Sequence, residues 1–203
     1  MKRSGSGSCV TLVVLAVAVI LTACGTSPPV RYYGFAARPS ETGTWQSVGA
    51  IDVALGPVRL ANYLDRPEIA TRVSDEELRF SEVNRWAGRL GEETLVALTH
   101  ALPELLPRAT VVAEASPAAS AARYRVELVV NRFDGQLDGE LLLDADWAVT
   151  ERATAEVVAA GQSVVRQPVS GQSYDALVRA HGVAVKQLAK DVAGVVGPLL
   201  SSQ

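Results

Sequence analysis

The chain is poor in the residue types that crosslink a fold, bind metals or act as nucleophiles. Its 203 residues include two cysteines, Cys9 and Cys24, and two histidines, His100 and His181. Zinc sites are built from several histidine and cysteine ligands at short intervals, and the two histidines have no such spacing. The sequence also has no P-loop, nucleophile elbow or Gly-x-Gly-x-x-Gly motif. We therefore expect a protein that is not an enzyme and that uses neither a metal nor a dissociable cofactor.

A basic region is also missing. The chain has 19 Lys and Arg against 22 Asp and Glu, which gives a formal net charge of −3. Nucleic-acid binding needs a basic stripe, and electrostatic adhesion to anionic lipid needs clustered cations beside the membrane. The charge balance therefore argues against a nucleic-acid partner and against electrostatic attachment to a membrane.

The N-terminus, in contrast, has a clear organisation. Lys2 and Arg3 precede an apolar run from Cys9 to Leu21, and small residues follow before Cys24. This order is typical of a secretory signal peptide. The alternative is an uncleaved membrane anchor, but the run is shorter than the roughly 20 residues that a spanning helix needs.

The residues Leu21-Thr22-Ala23-Cys24 resemble the signal of bacterial lipoproteins. The resemblance implies that residues 1–23 are removed, that the Cys24 thiol receives a diacylglycerol, and that the new amine is acylated, for example with palmitate. Each buried CH₂ of such chains contributes roughly 0.8 kcal/mol to membrane binding. Gly25 stands where inner-membrane lipoproteins often have Asp, which implies the inner leaflet of the outer membrane, facing the periplasm.

Three segments follow from this interpretation. Residues 1–23 are the signal peptide, residues 24–30 are a lipidated tether, and residues 31–203 are a single periplasmic domain. The tether contains Pro28-Pro29, and its residues span about 20 Å at most, which holds the domain close to the membrane. Because Cys9 is removed and Cys24 is acylated, we expect no disulfide in the mature protein.

The first half of the domain has several short apolar segments. Predicted strands begin at Arg31 and at Val48, with Gly56-Pro57 ending the second. A hairpin is predicted from Ile69 to Trp86, with its turn at Ser74. The first helix is predicted over 92–102, with Leu95, Leu98 and Leu102 on one stripe and Pro103 ending or kinking it. A short strand is predicted at 110–112, followed by a surface loop over 113–122.

The second half has the clearest periodicity. Alternation predicts a strand from Tyr124, a hairpin connection at Asp134-Gly135 and Asp138-Gly139, a partner strand to Val149, and a third strand over 157–166. Ser173 is a predicted N-cap of the last helix, which Gly197-Pro198 should end. The order of strands, helix, strands and helix predicts an α+β fold, mostly an antiparallel sheet with two helices packed on one face.

Two groups of polar residues are candidates for a functional site. Asp144 and Asp146 share one strand face, with Asp138 nearby, which is compatible with a metal site or an acid–base pair. Because apolar residues alternate with them, a solvated polar face is the favoured interpretation. His100 and His181 lie on predicted helices beside apolar stripes, where a histidine is usually a packing residue.

The segment Tyr63-Leu64-Asp65-Arg66-Pro67 combines bulky apolar, acidic and basic residues in a predicted turn. These five residues can stabilise the turn, or they can form a contact with another protein, where exposed Tyr and Arg are common. Residue types alone favour the role of stabilising the turn. Contact with another protein is the alternative, and the five residues are the candidate partner interface.

The residues from Leu55 to Arg72, which include this segment, resemble the signature of the ABC-type transport auxiliary lipoproteins, the paraquat-inducible protein C (PqiC/YmbA-like) group. Tyr32-Tyr33, Asn84 to Ala87, Tyr174 to Val178 and Lys190 to Ala193 fit the same resemblance. The chain departs from the family at Ala61, where Pro is common, at Asn84, which is often acidic, and at Gly88-Arg89, which are often Glu-Pro.

The resemblance implies an auxiliary, non-enzymatic component of a transporter. In such systems an MCE-domain protein carries phospholipid between membranes together with an inner-membrane permease, and the lipoprotein docks its outer-membrane end. The resemblance also implies a ring-shaped homo-oligomer and gives no catalytic residues. We then expect Tyr63→Ala or Arg66→Ala to harm complex formation more than folding.

Two other functions suit the same residues. A carrier would enclose a lipid or small apolar ligand between the sheet and the helices. An outer-membrane assembly lipoprotein would bind a barrel protein. All three hypotheses include the lipid anchor at Cys24. They differ in the partner or ligand that the domain binds.

Overall fold

The computed structural model of the chain describes residues 28–34 and 50–201. The predicted signal peptide, Cys24 and the loop predicted over 36–46 lie outside these residues. Lipidation and the bounds of the three segments therefore remain predictions.

The described residues form eight strands and two α-helices in one sequence of elements. In chain order these are β1 (Arg31–Tyr33), β2 (Val53–Leu60), β3 (Glu68–Arg72), β4 (Leu78–Trp86), α1 (Leu90–Leu105), β5 (Val111–Ala113), a 3₁₀ helix (Pro117–Ala121), β6 (Tyr124–Gly135), β7 (Glu140–Glu151), β8 (Glu156–Pro168) and α2 (Tyr174–Ser201). The α+β class predicted from the sequence is confirmed.

Strand β6 is the centre of the sheet. On one side it pairs with β7, which pairs in turn with β8, and both ladders are long and antiparallel. On its other side β6 pairs in parallel with β2 and, near its end, with β3. Strand β4 is antiparallel to β3, while the short strands β1 and β5 lie parallel to β4 and β2. The sheet is mostly antiparallel, as predicted, but its parallel pairings were not predicted.

The core lies between one sheet face and the two helices, which contact each other and the sheet. On β7 the apolar residues that alternate with Asp144 and Asp146 are all buried: Leu141, Leu143, Ala145, Trp147 and Val149. Helix α2 buries Leu177, Val185 and Leu188 completely against them. Since full burial of a Leu or Val side chain contributes about 1.5–3 kcal/mol, this layer is the main source of stability.

The prediction that Gly56-Pro57 ends the second strand is wrong. Strand β2 continues through both residues, and its register with β6 shifts between Leu55 and Val58, as in a β-bulge. Strand β5 accompanies β2 only up to Leu55. Pro57 therefore lies where the ladder is already irregular, which is where a strand tolerates a residue without N–H.

The prediction that Gly197-Pro198 ends the last helix is also wrong, because α2 continues to Ser201. Leu199 and Leu200 in this last turn pack against the core, and the Ser201 hydroxyl donates to the Gly197 carbonyl at 3.0 Å. Pro103 is likewise inside α1, which continues to Leu105. In α2, packing of Leu199 and Leu200 offsets the lost hydrogen bond. In α1, Glu104 and Leu105 are exposed, and the buried residue is Leu106, directly after the helix.

The alanine-rich segment predicted as a surface loop forms the 3₁₀ helix instead. Ala119 and Ala122 are buried there together with Ile51 and Ala54, in a small cluster separate from the main core. Val53 and Leu55, which alternate with Ala54 on β2, belong to the main core instead. The alanines therefore cover part of the sheet on the side opposite the two helices.

Asp134-Gly135 was predicted in the hairpin connection, and this is wrong. Both residues belong to β6, and Asp134 is fully buried. The connection consists of residues 136–139, and Asp138 there has a positive φ of 54°. Asp134 is therefore a buried charge, which requires partners inside the protein.

His181 lies in the core beneath the N-terminal half of α2. Its side chain is 1% exposed, and its ring contacts the rings of Trp86 and Phe133 with centroids 5.1 and 4.4 Å apart. Its Nδ1 lies 2.9 Å from the Leu177 carbonyl oxygen. Burial lowers the pKa of His181 to about 4, against the opposing effects of backbone hydrogen bonds and the Asp134 charge. The predicted packing role therefore agrees with the structure.

This pKa makes stability depend on pH. The unfolded chain binds the histidine proton near pH 6.5 and the folded chain only near pH 4, so stability is complete above pH 6.5 and falls as the pH drops towards 4. We expect a loss of about 3 kcal/mol over this range, measured by urea unfolding. His181→Gln should remove most of this dependence. His100→Gln, at an exposed position of α1, should retain it, and equal slopes for both variants would contradict the assignment.

Candidate functional site

Two neighbouring clefts open on the surface where β2, α1 and the turn between β2 and β3 meet. The first cleft has a volume of about 280 Å³ and is lined by Pro57, Val58, Arg59, Leu60, Asp65, Arg89, Gly91, Glu92 and Leu95. The second has a volume of about 490 Å³ and is lined by Asp65, Arg66, Pro67, Trp86, Ala87, Gly88, Arg89 and Glu92. Asp65, Arg89 and Glu92 line both clefts and separate them.

The first cleft exists because α1 begins very close to the bulge of β2. A Cβ atom on Gly91 would lie 2.9 Å from the Val58 carbonyl oxygen, so a larger residue would push the helix away from the strand. Glu92 and Glu93 occupy the first turn of α1, where the helix dipole favours acidic side chains. The bulge and Gly91 together fix the distance between strand and helix on this surface.

Asp65 and Arg89 form the ion pair between the clefts. One Arg89 nitrogen, Nη2, donates to both carboxylate oxygens of Asp65, at 2.9 and 3.0 Å. The two side chains are 51% and 68% exposed, and exposed pairs contribute only about 0–1 kcal/mol to stability. The pair therefore shapes the surface much more than it stabilises the fold.

Arg66 has a different environment. Its guanidinium carbon lies 3.9 Å from the centroid of the Phe80 ring, and the residue is exposed. Among residues 28–34 and 50–201, no carboxylate forms an ion pair with it. Stacking on Phe80 restrains the side chain while its N–H donors stay open to solvent, a combination that suits recognition of another molecule.

Tyr63 and Leu64 face the interior instead. Leu64 is 3% exposed and belongs to the main core. The Tyr63 hydroxyl donates to Asp134 Oδ2 at 2.6 Å. The structure thus divides the candidate interface, because Tyr63 and Leu64 hold the turn while Asp65, Arg66 and Pro67 are exposed.

Asp134 is the acceptor of a buried network. Arg72 donates to it through Nε at 2.8 Å and Nη2 at 3.1 Å, and Arg132 Nε lies 3.4 Å away. Burial alone would raise the pKa of Asp134, but the hydrogen bonds from Arg72 and Tyr63 and the charge of Arg132 outweigh it and lower that pKa. Burial and the bond to Asp134 raise the pKa of Tyr63. The Asp134 carboxylate is therefore charged at neutral pH, and Arg72 and Tyr63 both donate hydrogen bonds to it.

The other candidate residues do not form a site. Asp144 accepts from Gln162 at 2.8 Å and Asp146 from Asn131 at 2.7 Å, on the polar outer side of the sheet. No group of three or more His, Cys, Asp or Glu in the described part of the chain has the geometry of a metal site. The interpretation as a solvated polar face fits these contacts.

Residue types in the sequence did not identify most of the residues that line the two clefts. Arg89 and Glu92 had no assigned role, and Arg89 is a position where the chain departs from the family pattern. The family resemblance was the one sequence feature that could have indicated the clefts. Its segments around residues 55–72 and 84–87 are distant in sequence and meet there. None of the helices in residues 28–34 and 50–201 is long and apolar enough to cross a membrane.

The different roles of Tyr63 and Arg66 can be tested by measuring the free energy of unfolding of variants. Tyr63→Phe leaves the buried Asp134 without one donor and should cost about 1.5–3 kcal/mol in the free energy of unfolding. Arg66→Ala removes only an exposed stacking contact and should cost about 0.5–1 kcal/mol. Urea denaturation of both variants checks this, and an equal or larger cost for Arg66→Ala would contradict the division. Because Tyr63 belongs to the buried network, we now expect only Arg66→Ala, and not Tyr63→Ala, to harm complex formation more than folding.

Comparisons with known proteins agree with this architecture. A crystal structure of an uncharacterized protein is similar with a TM-score of 0.68 and 17% identity, over 83% of this chain and 99% of that chain. A Xanthomonas campestris protein of the DUF330 family is similar with a TM-score of 0.64 and 18% identity, over 86% of this chain and 100% of that chain. These likenesses show a shared fold. A search of curated proteins gave no significant match.

The family model provides the stronger finding. The model described as the ABC-type transport auxiliary lipoprotein component matches residues 33–193. The match includes both clefts, the Asp134 network and most of α2, and it extends over well more than half of the chain. The chain therefore belongs to the family of ABC-type transport auxiliary lipoprotein components.

Proposed function

We propose that this lipoprotein is a non-enzymatic subunit of an MCE-type intermembrane phospholipid transport system. Acyl chains on Cys24 anchor it in the inner leaflet of the outer membrane, facing the periplasm. It docks the periplasm-spanning MCE-domain protein, which works with an inner-membrane permease. Membership of the transport auxiliary family is the observation that carries this proposal.

The direction of β1 supports a docking role for the clefts. In the parallel pairing of β1 with β4, Arg31 lies opposite Asn84 and Tyr33 lies opposite Trp86. The chain thus enters the fold at Arg31 and runs towards Trp86, which lines the second cleft. With a tether attached before Arg31, the clefts lie on the side that points away from the anchor.

The chemistry of the clefts suits a protein partner. Arg66 presents open N–H donors, and the ion pair of Asp65 and Arg89 presents both signs of charge at one exposed point. Arg is enriched among the residues that contribute most to protein interfaces, and charge complementarity sets orientation and specificity. The clefts are therefore the surface that receives the MCE-domain protein in this proposal.

The anchoring part is tested with Cys24→Ala in the full chain. Loss of the acyl chains should release the domain from the outer-membrane fraction, because no helix in residues 28–34 and 50–201 is long and apolar enough to replace the anchor. Membrane fractionation with immunodetection measures this. Retention of the variant in the outer membrane, with transport intact, would overturn the anchoring.

The docking part is tested by affinity purification of the tagged full chain from membranes of its own host, with mass spectrometry of what it retains. An MCE-domain protein should be recovered, and Arg66→Glu should lower that recovery by about tenfold. Arg79→Glu is the matched control, since Arg79 is 69% exposed and lies near the turn between β3 and β4. Recovery of a barrel protein would favour an assembly role, and stoichiometric lipid without an MCE-domain protein would favour a carrier.

A further inference from the structure

Arg66 has no carboxylate partner within the described residues, although two acidic residues lie close to it in the sequence. Asp65 accepts hydrogen bonds from Arg89 through both of its carboxylate oxygens, at 2.9 and 3.0 Å. Glu68 lies 3.3 Å from Arg85 in a second ion pair. Because each neighbouring carboxylate is engaged by another arginine, the guanidinium of Arg66 has no fixed counter-charge among residues 28–34 and 50–201.

The guanidinium of Arg66 is held in place before any ligand arrives. Its central carbon lies 3.9 Å from the centroid of the Phe80 ring, and Phe80 is half-buried on β4 opposite Ala70 of β3. The ring covers one face of the guanidinium, whereas the N–H donors project from its edges. A restrained arginine loses less rotamer freedom on binding than a free one. Arg66 is thus preorganised to bind an anion in the plane of its guanidinium.

The charges of the second cleft favour a carboxylate as this anion. A guanidinium binds carboxylates and phosphates through two parallel hydrogen bonds. The lining of the cleft contains two arginines, Arg66 and Arg89, and two carboxylates, Asp65 and Glu92. Since like charges in one cleft repel each other, a ligand with one negative charge shared by two oxygens suits the cleft better than a doubly charged phosphate group.

A phospholipid headgroup has a singly charged phosphate, but its acyl chains require apolar surface. The remaining lining of the second cleft consists of Pro67, Trp86, Ala87 and Gly88, and Trp86 is only 4% exposed. The acyl chains of a lipid bound at Arg66 would therefore remain in water, which is unfavourable. A polar segment of a protein has no such requirement.

We propose that Arg66 binds a carboxylate of a partner protein, which enters the second cleft and forms a bidentate pair with the guanidinium. The carboxylate belongs to an Asp or Glu side chain or to the C-terminus of that partner. The identity of the partner as the MCE-domain protein rests on the proposed function. The requirement for a carboxylate rests instead on the engaged Asp65 and Glu68 and on the stacking with Phe80.

Arg59, in the first cleft, is the rival cation on this surface. Its side chain is 70% exposed, and Glu127 lies 3.8 Å away, beyond hydrogen-bond distance. Among residues 28–34 and 50–201, no aromatic ring stacks on Arg59. An anion at Arg59 would have to order the side chain as well as bind it, which favours Arg66 as the site.

Carbodiimide crosslinking of the full-length protein, in membranes of its own host, tests for the carboxylate. The reagent joins a carboxylate to an amine in contact with it as an amide and takes up the released water as a urea, whereas a guanidinium does not react. The lysines of the chain are Lys2, Lys186 and Lys190, so an introduced lysine gives a distinct crosslinked peptide. In Arg66→Lys this lysine should be joined to a second protein, and mass spectrometry shows whether a side chain or the C-terminus reacted.

Two variants are controls for the position of the amine. Arg79→Lys introduces a lysine near the turn between β3 and β4, where Arg79 is 69% exposed, and should not be joined to the second protein. Arg59→Lys introduces a lysine in the first cleft and should give less of the crosslinked product than Arg66→Lys. The wild type should give no crosslink at any of these positions.

Three crosslinking results would overturn the proposal. They are an absence of any intermolecular crosslink for Arg66→Lys, a crosslink of its introduced lysine to Asp65 or Glu68 alone, and more product for Arg59→Lys than for Arg66→Lys. Co-purified phospholipid that Arg66→Gln abolishes, without a protein crosslink, would also overturn it and would assign the site to a lipid phosphate.

Phe80 provides a second test, because in the proposal its ring positions Arg66. Phe80→Leu keeps an apolar side chain but removes the stacking, and it should lower recovery of the partner protein about threefold. Arg66→Gln should lower recovery about tenfold, and Phe80→Leu added to that variant should cause no further loss. Equal losses from Phe80→Leu with and without Arg66 would overturn the positioning role. Thermal melting shows whether each variant is folded.

These outcomes separate the carboxylate site from the proposed function. A crosslink from Arg66→Lys to a protein without an MCE domain would contradict the proposed function and support the carboxylate site. Recovery of an MCE-domain protein without any crosslink from Arg66→Lys would contradict the carboxylate site alone.

Discussion

The buried carboxylate of Asp134 is the constraint on which the arrangement of the functional surface depends. An unpaired charge in the interior costs far more than folding can supply, so its partners must occupy fixed positions. Arg72 comes from β3, Tyr63 from the turn before it, and Asp134 itself from β6. The same bonds that neutralise the charge therefore join the turn to the centre of the sheet.

This attachment explains how one short segment has both structural and exposed members. Tyr63 and Leu64 point inwards and hold the turn, which leaves Asp65 and Arg66 at fixed positions on the surface. The bulge of β2 and the close approach of Gly91 bring the start of α1 beside them. A site built on a fixed turn and a helix start is more accurately positioned than one on a free loop, which suits a subunit that orients a partner.

The proposed docking surface has a physical origin separate from that of the core. The clefts arise from charged and restrained side chains at the junction of three elements, and they suit recognition of a different protein. In the proposal, a lipid anchor before Arg31 orients this surface relative to the membrane.

Several features of the fold could be predicted from the sequence because they depend on local periodicity. Alternating apolar residues from Tyr124 to Val149 identify a buried sheet face, whichever strands lie beside it. Ser173 caps the last helix as predicted, with its hydroxyl accepting from the Ala176 amide at 3.2 Å. The lipoprotein signal and the family resemblance are likewise properties of the linear chain, and they indicate compartment and class without any geometry.

Tertiary structure decided the features that depend on neighbours distant in sequence. Gly56-Pro57 and Gly197-Pro198 end elements by local rules, yet packing carries β2 and α2 through them. Asp134-Gly135 has the composition of a turn, but Arg72 and Tyr63, more than 60 residues away, hold Asp134 inside a strand. The pairing of Asp65 with Arg89 follows from the order of strands in the sheet. That order is set by long-range contacts, which local propensity does not encode.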